Sequence, residues 1–190
     1  MRSIVWIGVP AFVLAGFMAG SVPVRAAETG DSEQVSKLLS EAKTMAYQLK
    51  LDAEEMGTFT RMDVSWASHK VAINQIREHV NELGRQVTKL QAAEGNAAPW
   101  QRTAITRMVP YLEELAGYTS AVIEHVNGDV RHTPAEYKDY LEANADYASD
   151  LSAMIGQFVD YGKSKNKVEH LGEKLEIQTP RSISAPGCCR

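Results

Sequence analysis

Three side chains able to bind a metal ion, Asp52, His69 and His125, occupy positions that a helical bundle would bring to one level. Imidazole and carboxylate groups are ligands that suit zinc or copper. Asp52 and His69 interrupt runs of apolar residues, where a buried polar side chain needs a partner. Reversing the chain at its two later turns sets His69 opposite His125, and His125 opposite Tyr137. The sequence predicts a metal or small-ligand site here, or, in the alternative, a plain Asp52–His69 hydrogen bond.

Aromatic side chains are concentrated in the last long helical segment and provide a second candidate site. They recur on one side of that segment, at Tyr137, Tyr140, Tyr147, Phe158 and Tyr161. Such rings can line an aromatic pocket, or they can be core residues whose hydroxyl groups reach the rim. Both interpretations stay open at the level of the sequence.

Motifs that would identify an enzyme or a cofactor are absent from the sequence. None of the five histidines has a glutamate three residues before it, which is the arrangement that di-iron bundles need. Covalent haem attachment, zinc-protease and phosphate-loop patterns are also missing. We therefore expect no cofactor and a protein that is not an enzyme. The alternative is an enzyme whose site is assembled from separated residues.

The elements that must position these residues are four helices, read from apolar residues spaced three and four apart. The first stripe runs from Val35 to Met56 and is ended by Gly57. The second runs from Met62 to Leu90, and Thr60 with Asp63 resembles a capping box before it.

The third and fourth helices both begin with a proline, which is favoured in the first turn of a helix. Pro99 opens the third, Pro110 should kink or restart it, and Asn127–Gly128 closes it. Thr133 to Glu136 forms a capping box with proline at the first helical position. Gly162 is expected to end the fourth helix.

Short turns between long helices favour an all-α, up-down-up-down antiparallel four-helix bundle over residues 33–162. A short fifth helix over 163–177 is left open, and 178–190 is expected to be disordered. The stripes also fit a long two-chain coiled coil, and dimerisation through one helix pair stays open. Adjacent Cys188 and Cys189 could pair with another chain.

The first 26 residues resemble a secretory signal peptide. Arg2 is followed by an apolar run, and Val24 and Ala26 are small residues that fit cleavage after Ala26. Residues 27–32 then form a linker. The alternative is an uncleaved membrane anchor. After cleavage we expect an exported protein, periplasmic or secreted, without a transmembrane domain.

The charge distribution argues against nucleic acid as a partner. The formal net charge is −4, and losing Arg2 and Arg25 with the signal peptide makes it two units more negative. An acidic body disfavours non-specific nucleic-acid binding. The basic segment from Lys163 to Lys174 could bind an anionic surface or partner, or it could be a solvated run of charges.

Four stretches of the chain resemble an uncharacterised family of small exported bacterial helical-bundle proteins. They are Ser65–Trp66, Ile73–Asn81, Pro99–Gln101 and Glu136–Asn144. The resemblance implies a bacterial envelope setting and carries over no activity and no site residue. The sequence thus predicts a non-enzymatic bundle that acts by binding or assembly through an unknown protein or small ligand. The alternative is a metal- or ligand-binding bundle with its site near His69 and His125.

Overall fold

The computed structural model describes residues 30–62, 64–128 and 133–177. This part of the chain contains no strand and forms four long helices with two short 3-10 segments. The helices are α1 (Glu33–Gly57), α2 (Trp66–Ala93), α3 (Pro99–Asn127) and α4 (Pro134–Lys174), and the 3-10 segments are Thr58–Arg61 and Glu94–Asn96.

Each helix packs against its two neighbours in a closed ring. α1 contacts α2 and α4, and α3 contacts the same two helices. Short connections force successive helices to run antiparallel, so the prediction of an all-α four-helix bundle is confirmed. The predicted signal peptide over 1–26, the first half of the predicted linker (27–29) and the predicted disordered tail over 178–190 lie outside the described residues.

Side-chain caps determine where the helices begin. The capping box at the start of α4 is confirmed, because the Thr133 hydroxyl accepts from the Glu136 N–H at 3.2 Å and a Glu136 carboxylate oxygen accepts from the Thr133 N–H at 2.7 Å. The capping box expected at Thr60 is wrong, because Thr60 lies inside a 3-10 segment and Ser65 caps α2 instead. Asp63, its expected partner, lies outside the described residues.

Two of the expected breaks in the later helices do not occur. α3 continues through Pro110 without restarting and ends, as predicted, at Asn127 before Gly128, whose φ of 81° is left-handed. Gly162 does not end α4, which continues unbroken to Lys174, so the separate fifth helix is wrong. Gly162 packs against the ring of Trp100, where an added Cβ would lie 2.7 Å from Cη2.

The core is mostly apolar along the bundle, with a few buried polar side chains among its residues. Its largest fully buried side chains come from all four helices: Leu39, Leu49, Met56, Ile73, Ile76, Leu83, Leu90, Ile105, Met108, Leu115, Leu141 and Leu151. Among the described residues, no helix has an apolar stretch long enough to cross a bilayer.

Candidate functional site at one end of the bundle

Three of the predicted site residues come together at one end of the bundle. His69 lies in the first turn of α2, His125 in the last turn of α3 and Tyr137 in the first turn of α4. Because successive helices are antiparallel, these three turns share one level. We call this the ring end, defined by Trp66, His69, His125 and Tyr137.

A buried hydrogen bond joins α2 to α4 at the ring end. His69 Nδ1 and the Tyr137 hydroxyl oxygen are 2.5 Å apart, and the two residues are only 5% and 6% exposed. Burial disfavours the charged form of each group. It lowers the pKa of His69 from 6.5 and raises the pKa of Tyr137 to about 12, so both side chains are neutral at pH 7.

Aromatic rings surround this hydrogen bond. The His125 ring stacks on Tyr137 with centroids 4.5 Å apart. The Trp66 ring lies 5.1 Å from His69 and 5.6 Å from both His125 and Tyr137, while Phe59 meets His69 edge-on at 5.1 Å. Trp66 therefore touches the ring of every other member, and it is 47% exposed.

An open cleft of about 630 Å³ lies against these rings. Its volume is in the range of small-molecule sites, roughly 300 to 1,000 Å³. Its walls are mostly aromatic and apolar, with one lysine, and are lined by Thr60, Trp66, His69, His125, Pro134, Ala135, Tyr137 and Lys138. The Lys138 ammonium at the rim of the cleft is paired with Glu142 at 3.2 Å.

Asp52, the third predicted ligand, contacts a different histidine. Its carboxylate pairs with His79 Nδ1 and accepts from Gln48 Nε2 at 3.0 Å. His79 is ten residues beyond His69, or roughly 15 Å along α2. Within the described ranges, no three His, Cys, Asp or Glu side chains lie where they could hold one metal ion. Binding of a metal by His69 and His125 stays a prediction.

The tyrosines predicted to line one pocket occupy three separate places. Tyr137 belongs to the ring end, and Tyr161 lies against Trp100 at 5.4 Å at the other end of α4. Tyr140 and Tyr147 form a ladder on the α3–α4 surface with two tyrosines of α3, Tyr118 stacking on Tyr147 at 5.6 Å. Nearby negative charge, chiefly that of Glu114, raises the pKa of Tyr147.

The opposite end of the bundle is held by polar groups, and we call it the hydrogen-bonded end, defined by Asp31, Trp100, Gln101 and Lys165. Asp31 Oδ1 accepts from Trp100 Nε1 at 2.8 Å and from the Lys165 ammonium at 2.6 Å. The fully buried Gln101 amide accepts from the N–H groups of Ala98 and Ser32 and donates to the Ser32 carbonyl. These bonds join the starts of α1 and α3 to the later part of α4.

Sequence reasoning missed Phe59 at the ring end and the whole hydrogen-bonded end. Phe59 lies in the 3-10 turn before α2, outside any helical stripe. A signal for the second cluster was present, since Asp31 is a polar residue just before the first helix and Gln101 is one in the first turn of the third.

Comparisons with protein-family profiles, with characterised proteins and with solved structures found no match for this chain.

Proposed function

We propose that the protein is an exported helical bundle that acts by binding, and that the cleft at the ring end takes a small, planar, uncharged aromatic molecule. The proposal rests chiefly on one observation, the half-exposed Trp66 ring that lies against the rings of His69, His125 and Tyr137 beside an open cleft. Exposed aromatic surface of this kind favours stacking with another ring.

The protonation states at the ring end support an uncharged ligand. His69 and Tyr137 are neutral at pH 7 and already bonded to each other, so neither supplies charge to the cleft. The pairing of Lys138 with Glu142 reduces the attraction of the rim for an anion. A flat apolar ring would gain most here, because it covers Trp66 without leaving a charge unpaired.

The exported setting of the proposal comes from the N-terminal 26 residues, which have the composition of a signal peptide. Binding in the cell envelope, not catalysis, is the activity that this setting and the aromatic walls of the cleft favour together.

Indole is the probe that we would titrate first, into full-length protein labelled with ¹⁵N. The indole N–H resonance of Trp66 should shift, and that of Trp100 should not, because Trp100 Nε1 is bonded to Asp31 at the far end. Trp66→Ala should weaken indole binding about fivefold to tenfold, as expected for the loss of one aromatic contact. Val168→Ala, an exposed change on α4, is the matched control.

Benzoate and Zn²⁺ titrated into the same sample separate the alternatives. Binding of benzoate in preference to indole would overturn the uncharged-ligand proposal in favour of an anion. Zn²⁺ that shifts the ring resonances of both His69 and His125 would favour the predicted metal site instead. No shift of Trp66 with either organic probe would contradict an aromatic site at the ring end.

A further inference from the structure

The last part of α4 leaves the body of the bundle. Val159 and Gly162 are the last residues of α4 that pack into the body of the bundle, and among residues 163–177 only Gly172 is buried, while most side chains are exposed. Lys165 bonds to Asp31, just before α1 begins at Glu33, so the helix continues past the level at which its antiparallel neighbour starts. About two further turns of α4 follow Lys165.

An apolar stripe runs along this segment and faces solvent. Val168, Leu171 and Leu175 are 59%, 44% and 62% exposed, and Tyr161, one heptad before Val168, is 53% exposed. Five of the ten exposed large apolar residues of the described chain lie between residues 161 and 177. We call Tyr161, Val168, Leu171 and Leu175 the α4 stripe.

The spacing of the α4 stripe is that of a helix-pairing seam. Seven residues separate Tyr161, Val168 and Leu175 in turn, and Leu171 lies three after Val168, which gives the a and d positions of a heptad. At 100° per residue these side chains point away from the face on which Ile155 and Val159 enter the core. The bundle therefore leaves the seam uncovered.

Positive charge lines one edge of the α4 stripe, and negative charge lies on the opposite face of the helix. Helical geometry puts Lys163, Lys167 and Lys174 along one edge, and Glu169 and Glu173 on the far side. Within the described residues these three lysines form no ion pair, whereas Lys165 pairs with both Asp31 and Glu169. The edge beside the stripe is thus positive and open to an opposite charge.

Two other occupants fit this charge pattern less well. Residues 163–177 hold four lysines and three glutamates, a balance far below the clusters of four to eight basic residues typical of anionic-membrane segments. Two copies of the stripe paired antiparallel would set their lysine edges against each other. In a parallel pair, the lysine edge of one copy would face Lys165 and Gly172 of the other copy. That arrangement brings no opposite charge to the lysines.

We propose that the end of α4 is a docking surface for an amphipathic helix of another protein, whose apolar stripe covers Val168, Leu171 and Leu175 and whose acidic edge faces Lys167 and Lys174. The proposal does not depend on the aromatic cleft, which lies at the other end of the bundle.

The first test uses two designed helical peptides that differ only in charge. Both carry leucine at the a and d positions, one with glutamate and the other with lysine at the e and g positions. Fluorescence anisotropy with the full-length protein should show binding of the glutamate peptide and at least about tenfold weaker binding of the lysine peptide. Equal affinities, or no binding of the glutamate peptide, would overturn the proposal.

Two variants locate the binding on α4. Leu171→Asp should abolish binding of the glutamate peptide, while the matched control Val71→Asp, at another exposed apolar residue on α2, should leave it unchanged. The charge reversal Lys167→Glu with Lys174→Glu should make the protein prefer the lysine peptide. Circular dichroism melts check that each variant stays folded, as expected for changes at exposed positions.

The remaining occupants are distinguished on the same samples. A doubled mass in light scattering that Leu171→Asp restores to a single chain would show that a second copy covers the stripe. Binding to phosphatidylglycerol vesicles, with no binding of the glutamate peptide, would show an anionic membrane surface. If the protein without residues 178–190 binds the glutamate peptide and the full-length protein does not, the chain covers its own stripe. Each of these results would replace the proposed partner.

Discussion

The two ends of the bundle each hold one partly buried tryptophan, and the two tryptophans are used differently. At the hydrogen-bonded end the Trp100 N–H donates to Asp31, and its ring packs on Gly162. At the ring end Trp66 is 47% exposed, and its ring centroid lies within 5.6 Å of those of three other rings. One end is closed by directional bonds, and the other presents aromatic surface to a cleft.

The contrast separates stability from binding within one fold. Hydrogen bonds to buried backbone groups are costly to leave unmade, so residues at the hydrogen-bonded end should matter mostly for folding. Truncating a half-exposed ring costs the free protein little stability. We therefore expect Trp66 to contribute mostly to ligand binding. The predictions that follow test this division, beginning with the change expected to cost most.

Gln101→Leu should cause the largest loss of stability. The Gln101 amide makes four hydrogen bonds, two of them accepted from the N–H groups of Ser32 and Ala98. Leucine of similar size would leave those buried groups without partners, which should lower the free energy of unfolding by about 3 kcal/mol. Urea unfolding measures the change.

The matched control is Gln157→Leu, at an exposed position in the middle of α4. It should change the free energy of unfolding by less than about 0.5 kcal/mol. If both variants lose the same stability, the bonds of Gln101 do not hold the starts of α1 and α3 together, and the contrast between the two ends fails.

Tyr137→Phe should cost less, because it removes one hydrogen bond and keeps the rings. His69 Nδ1 would lose its partner while the stack on His125 remains, so unfolding should become easier by about 1 to 2 kcal/mol. Alkaline absorbance titration should also lose the ionisation of Tyr137, whose pKa burial raises to about 12.

Tyr161→Phe provides the comparison for that variant, since its side chain is 53% exposed on the far part of α4. Stability should be nearly unchanged, and the ionisation near pH 12 should persist. If Tyr137→Phe keeps the ionisation near pH 12, that ionisation belongs to another tyrosine, and Tyr137 is not the buried one.

The fold was predictable because each helix has a continuous apolar stripe and each turn is short. The predictions that failed concern helix ends, where contacts between helices matter. Gly162 has the local character of a helix terminator, but α4 continues through it, and the Trp100 ring from α3 occupies the space that a side chain would take. The sequence of α4 alone does not predict that contact.

The candidate site was predictable to the level of a helical turn. Antiparallel helices of known turn position bring His69, His125 and Tyr137 to one end, and the structure brings these residues together. Asp52 illustrates the limit. His69 and His79 both lie on α2, and only packing decides that the Asp52 carboxylate reaches His79. A hydrogen bond depends on atomic positions that sequence periodicity does not specify.

Acid should weaken the ring end selectively, and this is the smallest effect that we expect. Burial lowers the pKa of His69 below its usual 6.5, so below that pH the unfolded chain binds more protons than the folded one. Stability from the neutral imidazole is therefore present above pH 6.5 and is lost as the pH falls toward the folded-state pKa. The Gln101 amide does not titrate, so the hydrogen bonds that it makes should persist.

Hydrogen exchange at pH 7.5 and 5.5, corrected for intrinsic rates, measures the two ends separately. Protection in the second turns of α2 and α4 should fall at pH 5.5, while protection in the second turn of α3 should hold. His69→Gln should remove most of this pH dependence, and His170→Gln, at an exposed position, should leave it in place. A parallel loss of protection at both ends would mean that acid unfolds the bundle as one unit, and the separation of roles between its ends would not extend to its response to pH.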